Sequence, residues 1–325
     1  MKTISRRYQD AVSRIPNLNV IISTIIVLVV LIAFFSSLSP YFFTTRNIFN
    51  VLNQVSIYLI LGVGITLVMA TGEIDISIGS MIGLTSVILG NLVIEQGFPW
   101  WLGIIACVLV SSLCGALNGF IVSKFNVPSI VVTLGTMTAF LGLAYAYAAG
   151  RYFYRFPPQI LWIGRARPLG IPLPIYLAII AFLIGSYFLT MTATGRYFTV
   201  TGANRHIANL SGIKISIIRF LPFLIMGVLV GISTIILAAR IDAVQANTGA
   251  GVEIHVIAAV VLGGTSILGG KALMSGTLLG VLILGVLENG LVLIHIPYYI
   301  QQVIIGFLFI IVVAIHSWRE KQIEQ

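Results

Sequence analysis

The run Val20-Ile-Ile-Ser-Thr-Ile-Ile-Val-Leu-Val-Val-Leu-Ile-Ala-Phe-Phe35 carries no charge and only two hydroxyls. It lies between Pro16 and Pro40, with Arg6, Arg7 and Arg14 on its N-terminal side. A basic start before an apolar stretch suggests an export signal. This stretch is longer than most signal cores and lacks a small-x-small cleavage site, so it reads as a retained first membrane span. The rest of the chain has the same character. Hydrophobic residues make up 58% of 325, charged residues 8%, and the mean hydropathy is +1.08. A soluble domain carries about a quarter charged residues, so lipid must cover most of this chain.

At about 20 apolar residues per span there is room for about ten. The expected fold is all-α, a polytopic membrane protein with about ten transmembrane helices. The candidate spans are Asn19–Ser37, Ile48–Thr71, Ile78–Ile94, Trp101–Ser123, Ser129–Ala149, Leu173–Thr190, Ile217–Ala239, Val256–Leu268, Ala272–Ile294 and Tyr299–His316. Val256–Leu268 is short for a crossing, and broken or re-entrant segments are expected near 72–83 and 257–270.

The net charge of +9 is spread singly between apolar runs, unlike the basic stripe of a nucleic-acid binder. It reads as a topology signal. With the N-terminus inside, inner segments hold twelve of the 18 basic residues: Lys2, Arg6, Arg7, Arg14, Lys124, Arg196, Arg205, Lys214, Arg219, Lys271, Arg319 and Lys321. Outer segments hold Arg46, Arg151, Arg155, Arg165, Arg167 and Arg240. Both termini are therefore expected in the cytoplasm. Residues 1–18 form a cytoplasmic N-terminus, 19–316 a single transmembrane domain and 317–325 a tail. Within the domain, a cytoplasmic loop covers about 191–216 and an external loop about 150–172. The external loop, rich in Pro and aromatics, is expected to be ordered. Cys107 and Cys114 fit no common metal or redox spacing and read as packing residues.

Gly72-Glu-Ile-Asp-Ile-Ser-Ile-Gly79-Ser-Met-Ile-Gly83 has the same glycine spacing as Gly269-Gly-Lys-Ala-Leu-Met-Ser-Gly276-Thr-Leu-Leu-Gly280, a weak internal repeat of the kind transporters carry. Glu73 and Asp75 are the only acidic residues between Asp10 and Glu95. They either line a polar cavity or, at an interface, cap the start of the third span, Asp75 together with Ser77. The alternation of Ile74, Ile76 and Ile78 with polar residues points to an extended segment. Gly263-Gly264 with Thr265 and Ser266 suggests a broken helix whose backbone lines a pathway. Gly269-Gly270-Lys271 fails as a phosphate loop, because Thr265 occupies its first glycine position and Ala272 its Ser/Thr position. In the 191–216 loop, Thr194-Gly195-Arg196 and Gly202-Ala203-Asn204 read as turns, and Arg205–Ser211 as a short surface helix ended by Gly212. Asn53, Asn91, Asn118 and Asn289 suit interhelical hydrogen bonds. Glu288 is expected near the outer interface, solvated and unremarkable, and His255 at a span end, as a lone interfacial histidine. No residue set supports catalysis or metal binding.

These motifs give the sequence a family resemblance. Thr71-Gly-Glu-Ile-Asp-Ile-Ser-Ile-Gly79, Phe125-Asn-Val-Pro-Ser-Ile-Val-Val-Thr-Leu-Gly135, Ala258–Gly270 with Gly276–Gly280, and Asn289-Gly-Leu291 resemble the ribose-type monosaccharide permeases of bacterial ABC importers. That family also serves xylose, galactose, rhamnose and autoinducer-2. Gly195-Arg196, Gly202-Ala-Asn204, Ala208 and Ser211-Gly212-Ile213 are similar to its coupling loop, with Ala203 and Ile207 departing from the usual Gly and Ala. The resemblance implies a bacterial inner-membrane permease dimer of identical or paralogous chains, a cytoplasmic tandem-domain ATPase and a periplasmic solute-binding protein. ATP and Mg would be held by the ATPase, with no cofactor in this chain. Candidate pathway residues are Glu73, Asp75, Ser77, Gly79, Asn53, Gly263, Gly264 and Thr265. Candidate coupling residues are Gly195, Arg196, Gly202, Asn204, Ala208 and Gly212. The rival readings are an ion-coupled secondary transporter and a branched-chain amino-acid permease of the same superfamily.

Overall fold

Inside a bilayer the backbone must satisfy its own hydrogen bonds, and a long apolar run does so by coiling into a helix. The computed structural model describes residues 18–323. The N-terminal segment expected in the cytoplasm, with Lys2, Arg6, Arg7 and Arg14, lies outside the described residues. Thirteen helices occur among those described. They are α1 (Leu18–Leu38), α2 (Thr45–Ala70), α3 (Ile78–Gly90), α4 (Trp100–Phe125), α5 (Ser129–Ala148), α6 (Pro158–Arg165), α7 (Leu173–Met191), α8 (Ala193–Ala203), α9 (Arg205–Leu210), α10 (Ile215–Ile241), α11 (Val252–Leu262), α12 (Met274–Leu293) and α13 (Tyr298–Ile323). A π-helical turn, Asn91–Glu95, prolongs α3.

Each expected span has a helix, and among the described residues eight are long and apolar enough to cross a membrane: α1, α2, α3 with its π turn, α4, α5, α7, α10 and α12. The expected span Val256–Leu268 is instead α11, of 11 residues. At 1.5 Å per residue it is about 16 Å long, half the hydrocarbon thickness of about 30 Å. It stops because Gly264 takes φ +89° and the Gly264 and Thr265 N–H groups bond back to Val261 and Val260. The other break, residues 71–77, is non-helical as the isoleucine alternation suggests.

The core sits around α2, which packs against α7, α10, α11 and α12 and is buried almost continuously from Val55 to Ala70. By contrast, α1 exposes Ile26, Val29 and Val30, as a lipid-facing helix should. Small residues set the closest contacts. A Cβ on Gly115 of α4 would overlap the Phe223 carbonyl of α10, and one on Gly280 of α12 the Ala259 carbonyl of α11. Cys107 and Cys114 are buried, free thiols, consistent with packing. The loop 150–172 is ordered: β1 (Phe153–Tyr154) pairs antiparallel with β2 (Ala243–Val244), and Asp242 accepts hydrogen bonds from Phe156 N–H at 2.9 Å and Arg165 at 3.1 Å.

The α11–α12 contact has backbone on one side, so it cannot yield by a rotamer change. Gly280→Val is expected to lower stability by about 3 kcal/mol, read as a lower Tm and poorer monodispersity in detergent. Gly135→Ala, in an open position on α5, should match or exceed the wild-type Tm. Equal Tm values for the two variants would contradict this packing.

Candidate functional site

At one end of the bundle three backbones cross with no side chain between them. The first is the end of α2, where Gly72 turns the chain at φ +74°. The second is the α11–α12 loop, where Gly269 and Gly270 take φ +92° and +78°. The third is the last turn of α8, at Gly202. Gly270 N–H donates to the Ala70 carbonyl at 3.2 Å. A Cβ on Gly202 would overlap that same carbonyl, and one on Gly269 would lie 2.6 Å from Gly72 Cα. Gly72 and Gly269 are the leading glycines of the two repeats, and they meet here. The following glycines also play matching parts: Gly83 and Gly280, on the second turns of α3 and α12, each receive a facing backbone carbonyl, from Ala246 and Ala259.

Glu73 lies beside this junction, 2% exposed. Its Oε1 accepts hydrogen bonds from Arg205 at 2.7 Å and from buried Arg219 at 2.6 Å. Arg219 also donates to Asn126 Oδ1, at the left-handed residue that ends α4. One carboxylate thus ties the α2–α3 linker to α9, α10 and the α4–α5 turn. Removing an ionised carboxylate from water costs several kcal/mol unless it is paired, and here two guanidinium groups supply the pairing. Glu73 faces these arginines rather than the start of α3.

Asp75 is fully buried and shapes the entry to α3. Its Oδ1 accepts from Ser77 N–H at 2.9 Å and Ser77 Oγ–H at 2.6 Å, an Asx turn. Asn118 of α4 donates to Ser77 Oγ at 2.8 Å. Asp75 Oδ2 and Asn118 Oδ1 take no hydrogen bond. The extended linker is held by α5: Ile74 N–H donates to Ser129 Oγ, and Thr133 Oγ1 to the Ile74 carbonyl. Gly79 packs against Glu253 and the Gly249 carbonyl. Gly263 abuts Gly276, and Thr265 Oγ1 accepts from Leu273 N–H at 3.2 Å. Asn53 stands apart with Oδ1 unpartnered. The pathway candidates therefore fall into separate groups, and Glu73 joins the coupling candidates. Asn118, Asn91 and Asn289 make the expected interhelical bonds, to Ser77, Tyr147 and Asn47.

Glu288 and His255 are not at solvated span ends. Both are buried and 3.0 Å apart, because α11 is a half-helix whose first turn begins inside the bundle. Neither local sequence shows this, since each supplies only one half of the pair.

The family of permease components of the branched-chain amino acid transport system matches residues 47–313. The chain belongs to this permease family. It is 38% identical to the ribose import permease of Escherichia coli (strain K12) over 91% of this chain and 94% of that one. It is 32% identical to the D-allose transport system permease of Escherichia coli (strain K12), over 90% of each chain. The L-arabinose ABC transporter permease of Azospirillum brasilense is also 32% identical, over 92% of this chain and 88% of that one. No solved structure matches the chain. Among these relatives are sugar permeases, as the resemblance implied.

The permease presents α8 and α9 outward from the glycine junction. The expected turn at Thr194–Arg196 is helical, part of α8. Thr192 Oγ1 caps that helix by accepting from Gly195 N–H at 3.0 Å. Gly195 serves close approach rather than a turn, as a Cβ there would overlap the Phe188 carbonyl of α7. Arg196 is exposed and donates to the Met191 carbonyl. Asn204 caps α9 through Ile207 N–H at 3.0 Å. Ala208 is buried, while Ile207 and Leu210 are 56% and 74% exposed. Gly212 ends α9 at φ +78°, with Ile213 N–H bonded back to the Ala208 carbonyl, the expected C-terminal cap.

Glu73→Gln would leave Arg219 buried without its counter-charge and is expected to cost about 3–5 kcal/mol. Arg205 is half exposed, so Arg205→Ala should cost about 1 kcal/mol or less. Thermal unfolding of both variants checks the order, and an Arg205→Ala effect as large as that of Glu73→Gln would contradict it.

Proposed function

We propose that this permease is the membrane subunit of an ATP-binding-cassette importer that moves a monosaccharide or similar small polar solute into the cytoplasm. In this reading it lies in a bacterial inner membrane with both termini cytoplasmic. It pairs with a second permease chain, identical or paralogous, and works with a tandem-domain ATPase and a periplasmic binding protein. The glycine junction and α8–α9 lie on the cytoplasmic side and the 150–172 loop outside, in keeping with the distribution of basic residues.

The observation that carries the reading is the attachment of α8–α9 to both helix breaks. An ATPase docked on Ile207 and Leu210 would act through Arg205 on Glu73, and through Gly202 on Ala70 and Gly270. ATP-driven switching needs a partner that binds two states of the spans differently, and this attachment gives such a partner a grip on them. Nucleotide and Mg belong to the partner in this reading. In support, Gly269 and Gly270 are used up in backbone contacts, and α12 starts at Met274, three residues after Lys271.

Proteoliposomes holding the permease with its ATPase and binding protein are expected to take up a labelled monosaccharide only with ATP on the ATPase side. Uptake driven by a proton or sodium gradient without the ATPase would sink the proposal. Gly212→Leu strains the left-handed residue that ends α9 and is expected to lower solute moved per ATP hydrolysed by about tenfold, equivalent to about 1.4 kcal/mol of coupling. Unchanged stoichiometry in that variant would remove α9 from the coupling path.

A further inference from the structure

A second polar cluster lies deep between the two ends. Tyr58 is 13 residues after the start of α2 at Thr45 and 12 before its end at Ala70. At 1.5 Å per residue it is about 18 Å from either end of that helix. Gln54, one turn away, donates to Glu288 Oε2 of α12, and the Tyr58 hydroxyl reaches the same oxygen at 3.4 Å. His255, in the first turn of α11, brings Nε2 to 3.0 Å from Glu288 Oε1. Its ring stacks on Tyr58, with centroids 5.9 Å apart and planes at 17°. The Gly251 carbonyl, 2.7 Å from Nδ1, fixes the imidazole orientation.

Helix packing alone does not account for these residues. Close approach here is already provided by Gly280 against Ala259 and Gly285 against Val55. A buried ion pair is seldom more stabilising than apolar residues of the same shape, and ionisable groups within spans usually mark a solute path. An acceptor is also under-used: Glu288 Oε1 has His255 Nε2 beside it at 3.0 Å but takes no well-directed hydrogen bond. Buried acceptors normally have donors, so this oxygen leaves room for a hydroxyl.

Irregular backbone leads from the surface toward the cluster, ending at Gly251 against His255. The non-helical stretch 245–251 enters the bundle far enough for Gly249 to touch Gly79, 16 residues from Glu95 at the far end of α3 and its π turn. That is about 24 Å along the helix. Non-helical backbone at such depth occurs where it is covered by protein or lines water. Here Asn247 and Ala250 are exposed.

We infer that Gln54, Tyr58, His255 and Glu288 form a solute-binding site in the middle of the membrane that takes an uncharged, polyhydroxylated ring. The inference rests on the importer reading and adds its site. The carboxylate accepts from ring hydroxyls, while the Gln54 amide and His255 donate to them. The stacked Tyr58 and His255 rings offer a flat face to C–H groups. In this arrangement Gln54 and Tyr58 bond to Glu288 Oε2 and His255 lies beside Oε1, and an entering solute replaces those contacts in kind.

The test compares initial uptake of D-ribose, D-allose and L-arabinose with that of their 2-deoxy counterparts. It uses the complete reconstituted importer at saturating loaded binding protein, so that capture does not set the preference. Glu288→Gln is expected to cut uptake of the parent sugar and to shrink its preference over a deoxy analogue by about tenfold, as loss of one hydrogen-bonded hydroxyl contact should. Tyr58→Phe keeps the ring and should shift the preference the same way if Glu288→Gln fails to assemble. Unchanged uptake, or uptake lowered equally for sugar and deoxy analogue, would overturn the site while leaving the importer reading intact. A wild-type complex that moves none of these sugars with ATP would overturn the importer reading and the site with it.

Discussion

A helix broken inside a bilayer exposes backbone groups that lipid cannot satisfy, so each break has to be covered by protein. Two such stretches, 71–77 and 263–273, meet at one end of the bundle and cover each other. Gly270 N–H bonds to the Ala70 carbonyl, and Gly269 lies against Gly72. Only glycine permits this, because any Cβ would stand where the other backbone runs. The rest of the linker is covered by Ser129 and Thr133 of α5. Once the two breaks share one junction, α2, α3, α11 and α12 cannot shift independently.

That shared junction gives the surface helices their importance. Gly202 presses α8 onto the Ala70 carbonyl, and Glu73 holds Arg205 beside α9 and Arg219 on α10. A push on α8–α9 therefore arrives at both breaks together. The mid-membrane cluster lies on the three helices that leave the junction: Tyr58 on α2, His255 on α11 and Glu288 on α12. Movement at one end and rearrangement of those side chains therefore share the same helices, through which a partner that binds two states differently would act.

Much of this was legible from sequence, for physical reasons. Apolar runs bounded by Pro, Gly and polar residues located the ten apolar helices, since lipid leaves the backbone no alternative, while α6 and α8, in stretches read as loops, were missed. The two glycine-spaced segments marked the breaks, and the Gly202–Asn204 turn and Gly212 marked the ends of α9. Gly195 misled, because a glycine used for close approach to the Phe188 carbonyl has the same local signature as one used for a turn. Glu73 was visible as an oddity, but its partner Arg219 stands 146 residues away. His255 and Glu288 looked like interfacial residues for a similar reason. Their burial follows from where α11 begins, and that depends on the path of residues 245–251 rather than on hydropathy.

The central claim is that the surface helices and the breaks move as one body. Spin labels at Leu210 on α9 and Leu268 in the α11–α12 loop, both exposed, measure this by pulsed dipolar spectroscopy in the assembled transporter. The distance between them should stay the same with and without ATP, while that from Leu210 to Tyr154 at the opposite end changes. A Leu210–Leu268 distance that changes with nucleotide would contradict the account.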